Sequence, residues 1–269
     1  MYRIGMTIES NEKKVLLEEY GQTLIMKINN PEKKNIMSQE VRGIIWKILT
    51  QYENSNHKTL VITGEGENFS AGADIRNLKS LDSETVREYT SYVREFLNYV
   101  KNYPKITLGM VRGFAIGGGL ELLLCLDMVY CGKTAKFGQT ELNVGIIPGG
   151  GATQRLQDTV GIRKAKEMIF TGEIINSDDA LKSGLVNNVF NDDELLSETL
   201  KIANRINEKS FSSLIYSKLA INFKSSEEIK YLYKESEMYR KILLSEDGKE
   251  GLNAFLEKRR PKFSNKIIN

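Results

Sequence analysis

The sequence predicts an α/β fold, because short apolar segments with a strand pattern alternate with longer segments of helical periodicity. Hydrophobic residues make up 41% and charged residues 27% of the 269 residues, which is ordinary for a globular protein with a substantial core. After about residue 195 the strand pattern stops, and the rest of the chain is helical in pattern. We therefore predict a core over residues 1–200 and a helical region over residues 201–269.

The N-terminal elements follow from local patterns. KVLLEEYGQTLIMKINN predicts two strands joined by a turn at Tyr20–Gly21–Gln22. A helix with Ser38 as its N-cap comes next, because apolar residues then recur at helical spacing. These apolar residues are Val41, Ile44, Ile45, Ile48 and Leu49. TLVITGEG then predicts a short buried strand that ends in a glycine loop, and residues 83–101 predict a second helix.

In the middle of the chain, ITLGMVRGFAIG predicts one buried strand that leads into a glycine run. LELLLCLDMVYCG predicts a buried helix followed by a strand, and this alternation favours crossover connections. The C-terminal segments KIANRINE, SLIYSKLAINF and EGLNAFLEKRR predict amphipathic helices. Their apolar faces need a partner, either the protein's own core or a neighbouring subunit.

Composition excludes several classes of protein. A net charge of +3 with interspersed acidic residues does not indicate a nucleic-acid-binding protein. Cys125 and Cys131 fit no metal or redox motif, and no segment has the pattern of a signal peptide or a membrane span. His57, the only histidine, lies in a polar stretch and is expected at the surface, so we expect neither a histidine-rich metal site nor a Ser–His–Asp triad. The sequence predicts a soluble cytoplasmic protein with no metal centre.

Three glycine-rich loops are the candidates for chemistry: GEGENFSAGADIRNL, RGFAIGGGLEL and KFGQTELNVGIIPGGGATQRL. Small residues after a strand let a ligand approach the backbone, and free N–H groups near a helix N-terminus stabilise negative charge on an oxygen. Glu121 and Glu141 lie in the second and third loops. Glu121 has leucines at 120 and at 122–124, so it has little room to face water. None of these loops matches a dinucleotide-binding or Walker motif.

Together, these loops resemble the crotonase (enoyl-CoA hydratase/isomerase) superfamily from about Lys14 to Phe263. Five segments in the right order carry the resemblance: SAGADI (70–75), GFAIGGGLEL (113–122), FGQTELNVGIIPGGGATQRL (137–156), TGEIINSDDALKSGLVNNV (171–189) and EGLNAFLEKRRPKF (250–263). The resemblance implies a crotonase-like spiral of ββα units with a helical C-terminal trimerisation region. It also implies a homotrimer or a hexamer formed by two trimers.

The resemblance implies an acyl-CoA thioester substrate and no separate cofactor, since coenzyme A is part of the substrate. By motif position, the backbone N–H groups of Ala73 and Gly118 form an oxyanion hole for the thioester oxygen. Hydratases of this superfamily carry two glutamates, which match Glu121 and Glu141 here. Glu121 would assist as base toward a water molecule, and Glu141 would exchange a proton at the α carbon. The implied activity is syn addition of water to a trans-2-enoyl-CoA, or the reverse dehydration of a 3-hydroxyacyl-CoA.

Further residues match the segments that hold coenzyme A in the family. These residues are Lys33, Lys34, Ala71, Asp74, Ile75 and the C-terminal Lys258. One departure from the hydratase pattern is Thr140, where many hydratases have a proline before the second glutamate. This threonine frees a backbone N–H group and adds a hydroxyl beside Glu141.

Two alternatives stay open at this stage. One is a Δ3,Δ2-enoyl-CoA isomerase that uses Glu141 as its proton shuttle. The other is an RNA-binding relative, for which the support is the basic cluster of Lys258, Arg259, Arg260 and Lys262. The acyl group is not predicted, because Tyr89, Tyr92 and Phe96 fit either an aromatic pocket for a short chain or ordinary helix packing.

Overall fold

The computed structural model describes residues 7–8, 14–222 and 228–263, which form ten strands and eleven α-helices. The strands are β1 (Thr7–Ile8), β2 (Val15–Tyr20), β3 (Thr23–Ile28), β4 (Thr59–Gly64), β5 (Ile106–Val111), β6 (Phe114–Ile116), β7 (Met128–Gly132), β8 (Lys136–Gly138), β9 (Ile174–Asn176) and β10 (Asn188–Phe190). Seven strands form one sheet in the order β1-β2-β3-β4-β5-β7-β10, and three form a second sheet in the order β6-β8-β9.

The helices lie between and after these strands. They are α1 (Gln39–Tyr52), α2 (Ile75–Lys79), α3 (Thr85–Lys101), α4 (Gly118–Leu123), α5 (Ala152–Val160), α6 (Ile162–Thr171), α7 (Ser177–Lys182), α8 (Leu195–Asn207), α9 (Phe211–Asn222), α10 (Glu228–Leu243) and α11 (Glu246–Leu256). Two short 3-10 helices cover Pro31–Lys33 and Glu141–Val144. No described helix is long and apolar enough to cross a membrane.

The large sheet positions two of the three candidate loops, those after β4 and β5, at one end of its strands. Strands β3, β4, β5, β7 and β10 run parallel, so their C-terminal ends lie on the same side of the sheet. The register pairs Ile28 with Gly64 and Val111 with Cys131, at the ends of their strands. The segments that follow β3, β4 and β5 therefore leave the sheet side by side.

Both faces of the central strands are buried, which explains their continuous apolar sequences. On one face Met26 and Ile62 belong to the main core with residues of α1 and α3. On the other face Ile25 and Val61 pack in a second core that includes Leu195 of α8. The alternation of side chains along a strand places neighbouring residues on opposite faces.

Most elements predicted for the first half of the chain are confirmed. β2 and β3 form the expected antiparallel hairpin, and the Oγ of Ser38 accepts a hydrogen bond from the N–H of Val41 at 3.2 Å as the N-cap of α1. One strand prediction is wrong, because ITLGMVRGFAIG forms two strands in different sheets. The chain turns at Gly113, which has φ +49° and where a Cβ would lie 2.2 Å from the carbonyl oxygen of Glu67.

His57 is half-buried, so its expected surface position is wrong. Its Nδ1 lies 3.0 Å from the Oγ of Ser55, and its Nε2 lies 3.5 Å from a carboxylate oxygen of Glu19. Burial lowers the pKa of His57, which favours the neutral ring. This histidine stays outside the cavity described below.

Beyond β10, the described residues are helical, as predicted. α8 packs on the large sheet, whereas α10 contacts α3, α5 and α11. α11 packs against α2 and against the 3-10 helix Glu141–Val144. The last two helices therefore lie next to the glycine-rich loops, while the division of the chain at residue 200 stays a prediction.

Candidate active site

Backbone hydrogen bonds join the loop after β4 to strand β6. The N–H of Ser70 donates to the carbonyl of Phe114 at 2.8 Å, and the N–H of Ile116 donates to the carbonyl of Ser70 at 3.1 Å. Gly119 fits beside this junction because it has no side chain, since a Cβ there would lie 2.6 Å from the carbonyl oxygen of Ser70. The junction places residues 71–74 next to the glycine run that begins α4.

The backbone N–H groups predicted as an oxyanion hole, those of Ala73 and Gly118, lie side by side in the wall of one cavity. A Cβ on Gly118 would lie 3.5 Å from the nitrogen of Ala73, and one on Gly72 would lie 3.0 Å from the nitrogen of Gly118. Gly118 begins α4, so its N–H has no acceptor within the helix. Within the described part of the chain neither amide donates to a protein acceptor. Both are therefore available to an oxygen in the cavity.

Glu121 lies in the same cavity wall and is 5% exposed. Its Oε1 accepts hydrogen bonds from the N–H groups of Gly150, at 2.6 Å, and Ala152, at 3.3 Å. Burial raises the pKa of Glu121, whereas these two amides and the charges of Arg155 and Arg42 act in the opposite direction. The N-terminus of α5 thus supplies donors that stabilise this carboxylate in its ionised form.

Glu141 reaches the cavity from the 3-10 helix that it begins. Its Oε1 accepts a hydrogen bond from the Nε2 of Gln139 at 3.1 Å, and its Oε2 is buried without a partner among the described residues. Burial and then the charge of Glu121 raise the pKa of Glu141 to about 8. At neutral pH Glu141 is therefore the protonated member of the pair, and the donors around Glu121 favour its ionised form.

A third buried carboxylate, Glu235, was not predicted from the sequence. It is 4% exposed, and its Oε2 accepts hydrogen bonds from the N–H of Thr153, at 3.2 Å, and from the Thr153 hydroxyl. Burial and then the charge of Glu121 raise the pKa of Glu235 to about 8. A signal existed, because Glu235 stands at helical spacing between the buried Leu232 and Tyr239.

Arg42 is a second residue that the sequence analysis missed. It lines the cavity although it is only 3% exposed, and its Nη2 donates to the hydroxyl of Tyr89 at 3.3 Å. Arg42 stands one turn before Ile45 and two turns before Leu49, so it places a charge on the apolar face of α1. This charge on an apolar face could have indicated a functional residue. Tyr239 also lines the cavity, and burial raises its pKa well above the usual value.

Of the residues predicted to hold coenzyme A, Ala71 and Ile75 line the cavity. Asp74 is half-buried next to them, and its Oδ1 accepts a hydrogen bond from the N–H of Arg76 at 3.0 Å as the N-cap of α2. Ala71 and Ile75 therefore belong to the cavity wall, and Asp74 lies next to them in the loop after β4. Their contacts with coenzyme A stay a prediction.

The predicted lysines are exposed and lie outside the cavity wall. Lys33 and Lys34 belong to a segment that is fixed beside the site, because the N–H of Ala71 donates to the carbonyl of Lys34 at 2.8 Å. Lys258 follows α11, whose Phe255 lines the cavity. All three side chains are exposed, and the Nζ of Lys34 lies 4.9 Å from the centre of the Phe114 ring.

The aromatic residues of α3 separate into two groups. Tyr89 lines the cavity. Tyr92 and Phe96 instead pack on the ring of Trp46, with centroids 5.8 Å and 6.1 Å away, which is helix packing between α1 and α3. Across the described residues no cluster of His, Cys, Asp and Glu has the arrangement of a metal site.

Comparison with known proteins identifies the family. The family model described as enoyl-CoA hydratase/isomerase matches residues 18–266. The chain belongs to this family. It is 36% identical over 255 residues to the crotonyl-CoA hydratase of Syntrophomonas wolfei, with 94% of this chain and 98% of that protein covered. It is 35% identical to the short-chain-enoyl-CoA hydratase of Clostridium acetobutylicum, with 91% and 95% covered.

Solved structures of the enoyl-CoA hydratase/isomerase family support the fold assignment. The crystal structure of an enoyl-CoA hydratase/isomerase from Pseudoalteromonas atlantica matches with a TM-score of 0.85 at 31% identity. It covers 94% of this chain and all of the other. The superfamily and the crotonase-like α/β fold predicted from the sequence are thereby confirmed.

Proposed function

We propose that this protein is an enoyl-CoA hydratase that adds water to a trans-2-enoyl-CoA, or removes it from a 3-hydroxyacyl-CoA. The observation that carries the proposal is that Glu121 and Glu141 line one cavity with the amides of Ala73 and Gly118. A carboxylate and a carboxylic acid beside two free N–H donors are the groups that such an addition requires. The relatives named crotonyl-CoA and short-chain-enoyl-CoA hydratase support the same activity.

The addition assigns one task to each group. Glu121 accepts a proton from water while the water oxygen bonds to the β carbon of the enoyl group. The electrons of the double bond move onto the thioester oxygen, where the amides of Ala73 and Gly118 stabilise the enolate. Glu141 then donates its proton to the α carbon. Dehydration follows the same steps in reverse, and the pair ends with the opposite protonation state.

Coenzyme A is part of the substrate in this proposal, and no separate cofactor is needed. Ala71, Asp74 and Ile75 border the cavity where the pantetheine portion would enter. The exposed lysines at 33, 34 and 258 would attract the phosphates of coenzyme A, because ammonium groups pair with phosphate oxygens. This arrangement would bind the anionic end of the substrate outside the cavity and the acyl group inside it.

The two alternative functions receive less support. Isomerisation needs one group to shuttle a proton, so it would leave the buried Glu121 without a task. RNA binding would depend on the basic C-terminal cluster, yet Arg259 is paired with Glu250 and with Glu257, each at 2.6 Å. Part of that positive charge is therefore neutralised within the protein.

The test of the proposal is the hydration of crotonyl-CoA by the wild-type protein and by Glu121→Gln and Glu141→Gln. Each substitution removes a proton-transfer group but keeps the side-chain shape, so we expect kcat to fall by about 10²–10⁴-fold. Glu167→Gln, at an exposed site on α6, is the matched control and should retain activity. Near-wild-type hydration by either cavity variant would overturn the mechanism, and preferential turnover of 3-enoyl-CoA would favour the isomerase.

We also propose that the protein assembles as a homotrimer or as a hexamer of two trimers in the cytoplasm. Exposed apolar side chains on the C-terminal helices support assembly, among them Tyr216 and Ile221 of α9. Cys125 and Cys131 are buried and not joined in a disulfide, which fits a reducing compartment.

A further inference from the structure

The cavity contains a cation, Arg42, that takes no part in the proton transfers of the proposed reaction. Arg42 enters the wall from α1 and is 3% exposed. Its Nη2 donates to the neutral hydroxyl of Tyr89, and its guanidinium carbon lies 5.5 Å from the centre of the Tyr89 ring. Among the described residues no carboxylate lies within ion-pair distance of Arg42.

A buried guanidinium with no carboxylate at ion-pair distance is costly, because it loses its hydration and cannot give up its proton. Apolar residues occupy the neighbouring positions of the same helix face, Ile45 and Leu49, so packing alone would be satisfied by an apolar side chain. Arg42 instead places a charge in the cavity wall. A carboxylate at ion-pair distance can therefore be supplied by the molecule that fills the cavity.

We propose that the enoyl group of the substrate carries a carboxylate at the end remote from the thioester, and that Arg42 binds this carboxylate. The proposal rests on the proposed hydratase function and narrows its substrate class to enoyl-CoA thioesters of dicarboxylic acids. The hydroxyls of Tyr89 and Tyr239 line the same cavity and offer two further donors to such an anion. A guanidinium with flanking hydroxyls matches the planar, two-oxygen geometry of a carboxylate.

The charges in the cavity also orient such a substrate. Glu121 lies at the reacting end and would repel a second carboxylate beside it, whereas Arg42 in the same wall would attract one. The carboxylate takes no part in the addition of water, so the product is a 3-hydroxyacyl-CoA that keeps its remote carboxylate. Arg42 is thus a specificity residue for the acyl group.

A competing role for Arg42 is electrostatic, because its charge acts against the rise in the pKa of Glu121. The two roles predict different results. Loss of an electrostatic partner of Glu121 would slow the hydration of every substrate to the same extent. Loss of a carboxylate-binding group would slow the hydration of carboxylated substrates selectively.

The experiment measures kcat/KM for trans-2-enoyl-CoA substrates of five and six carbons, each with a terminal carboxylate or a terminal methyl group. For the wild-type protein we expect the carboxylated substrate of at least one length to exceed its matched neutral substrate by about tenfold or more. In Arg42→Met that ratio should fall by about 10²-fold or more, because a buried charge pair is lost. Arg42→Lys keeps the charge without the fork of donors and should give an intermediate ratio.

Arg94→Met is the matched control, because Arg94 is a partly buried arginine of α3 that contacts Ser236 and lies outside the cavity wall. Its substrate ratio should equal that of the wild type. A wild-type preference for neutral substrates at both lengths would overturn the proposal without any variant being needed. An equal decrease for both substrate types in Arg42→Met would overturn it as well. Failure of the wild type to hydrate any of these substrates would instead contradict the hydratase function itself.

Discussion

Glu121 and Glu141 titrate as a pair, because each changes the free energy of ionising the other. Burial and the charge of Glu121 raise the pKa of Glu141 to about 8. Hydration requires protonated Glu141, so we expect kcat/KM for crotonyl-CoA to fall as the pH rises through about 8. Dehydration starts from the same singly protonated pair, with the proton on Glu121, so its kcat/KM should fall through the same pH. Initial rates in both directions between about pH 6 and pH 9 test whether the two activities share this limb.

Glu235 provides the control for this assignment, because burial and the charge of Glu121 also raise its pKa to about 8. The charge of Glu235 contributes to the raised pKa of Glu141. In Glu235→Gln the descending limb of hydration should therefore persist and move to lower pH. If the descending limb disappears in this variant, the titration belongs to Glu235. If the limb stays at an unchanged pH, the carboxyls of Glu235 and Glu141 are not coupled.

The residues of the site differ in how far the sequence could predict them. Glu121 and Glu141 were found because each stands in a glycine-rich loop with a recognisable motif. Arg42 and Glu235 lie in helices without any motif. Their burial depends on which face of each helix packs into the protein interior. A charged residue on an apolar face was visible in the sequence, but helical periodicity alone does not say whether it meets a ligand, a partner or another helix.

At the scale of the elements, the glycine-rich segment before α5 holds Glu121 in place. A Cβ on Gly150 would lie 2.4 Å from the Oε2 of Glu121, so Gly150→Ala must displace the carboxylate. We expect kcat/KM to fall by about 10²-fold, because a shift of roughly 1 Å at a reacting group has effects of that size. The end of a flexible side chain can move, so the protein should remain folded, which circular dichroism and the melting temperature would verify.

Gly43→Ala is the matched control for Gly150→Ala. Gly43 lies inside α1, and a Cβ there would meet only the hydroxyl of Tyr92 at an ordinary 3.5 Å. Alanine has the higher helix propensity, so we expect unchanged activity and a free energy of unfolding higher by about 0.5–1 kcal/mol. Equal activities of the two alanine variants would contradict the role of the Gly150 segment.

Individual elements were predictable where a local pattern determines them. The β2–β3 hairpin follows from two apolar runs around one turn, and the start of α1 follows from an N-cap before a helical pattern. The break between β5 and β6 was not visible, because an arginine and a glycine within an apolar run do not by themselves end a strand. That break depends on the close approach of the Glu67 carbonyl to Gly113, which is a contact between distant parts of the sequence.

For the whole molecule, the distribution of exposed apolar surface indicates an assembly of several chains. On α9, Tyr216 and Ile221 are 74% and 75% exposed, and Leu219 is 45% exposed. Several large apolar side chains exposed on one short helix are rarely left to solvent in a stable protein. Burial between identical subunits would account for them and agrees with the trimer that the family resemblance implies.

We therefore predict that light scattering after size exclusion gives a mass of three or six times 30.5 kDa for the wild-type protein. Tyr216→Glu combined with Ile221→Glu should lower that mass, because burying unpaired carboxylates in an apolar interface is costly. Gln51→Glu adds a charge at an exposed position of α1 and should leave the mass unchanged. A monomeric wild-type protein would contradict the assembly. An assembled double variant would instead show that α9 lies outside the interface. The exposed apolar side chains of α9 would then need another partner.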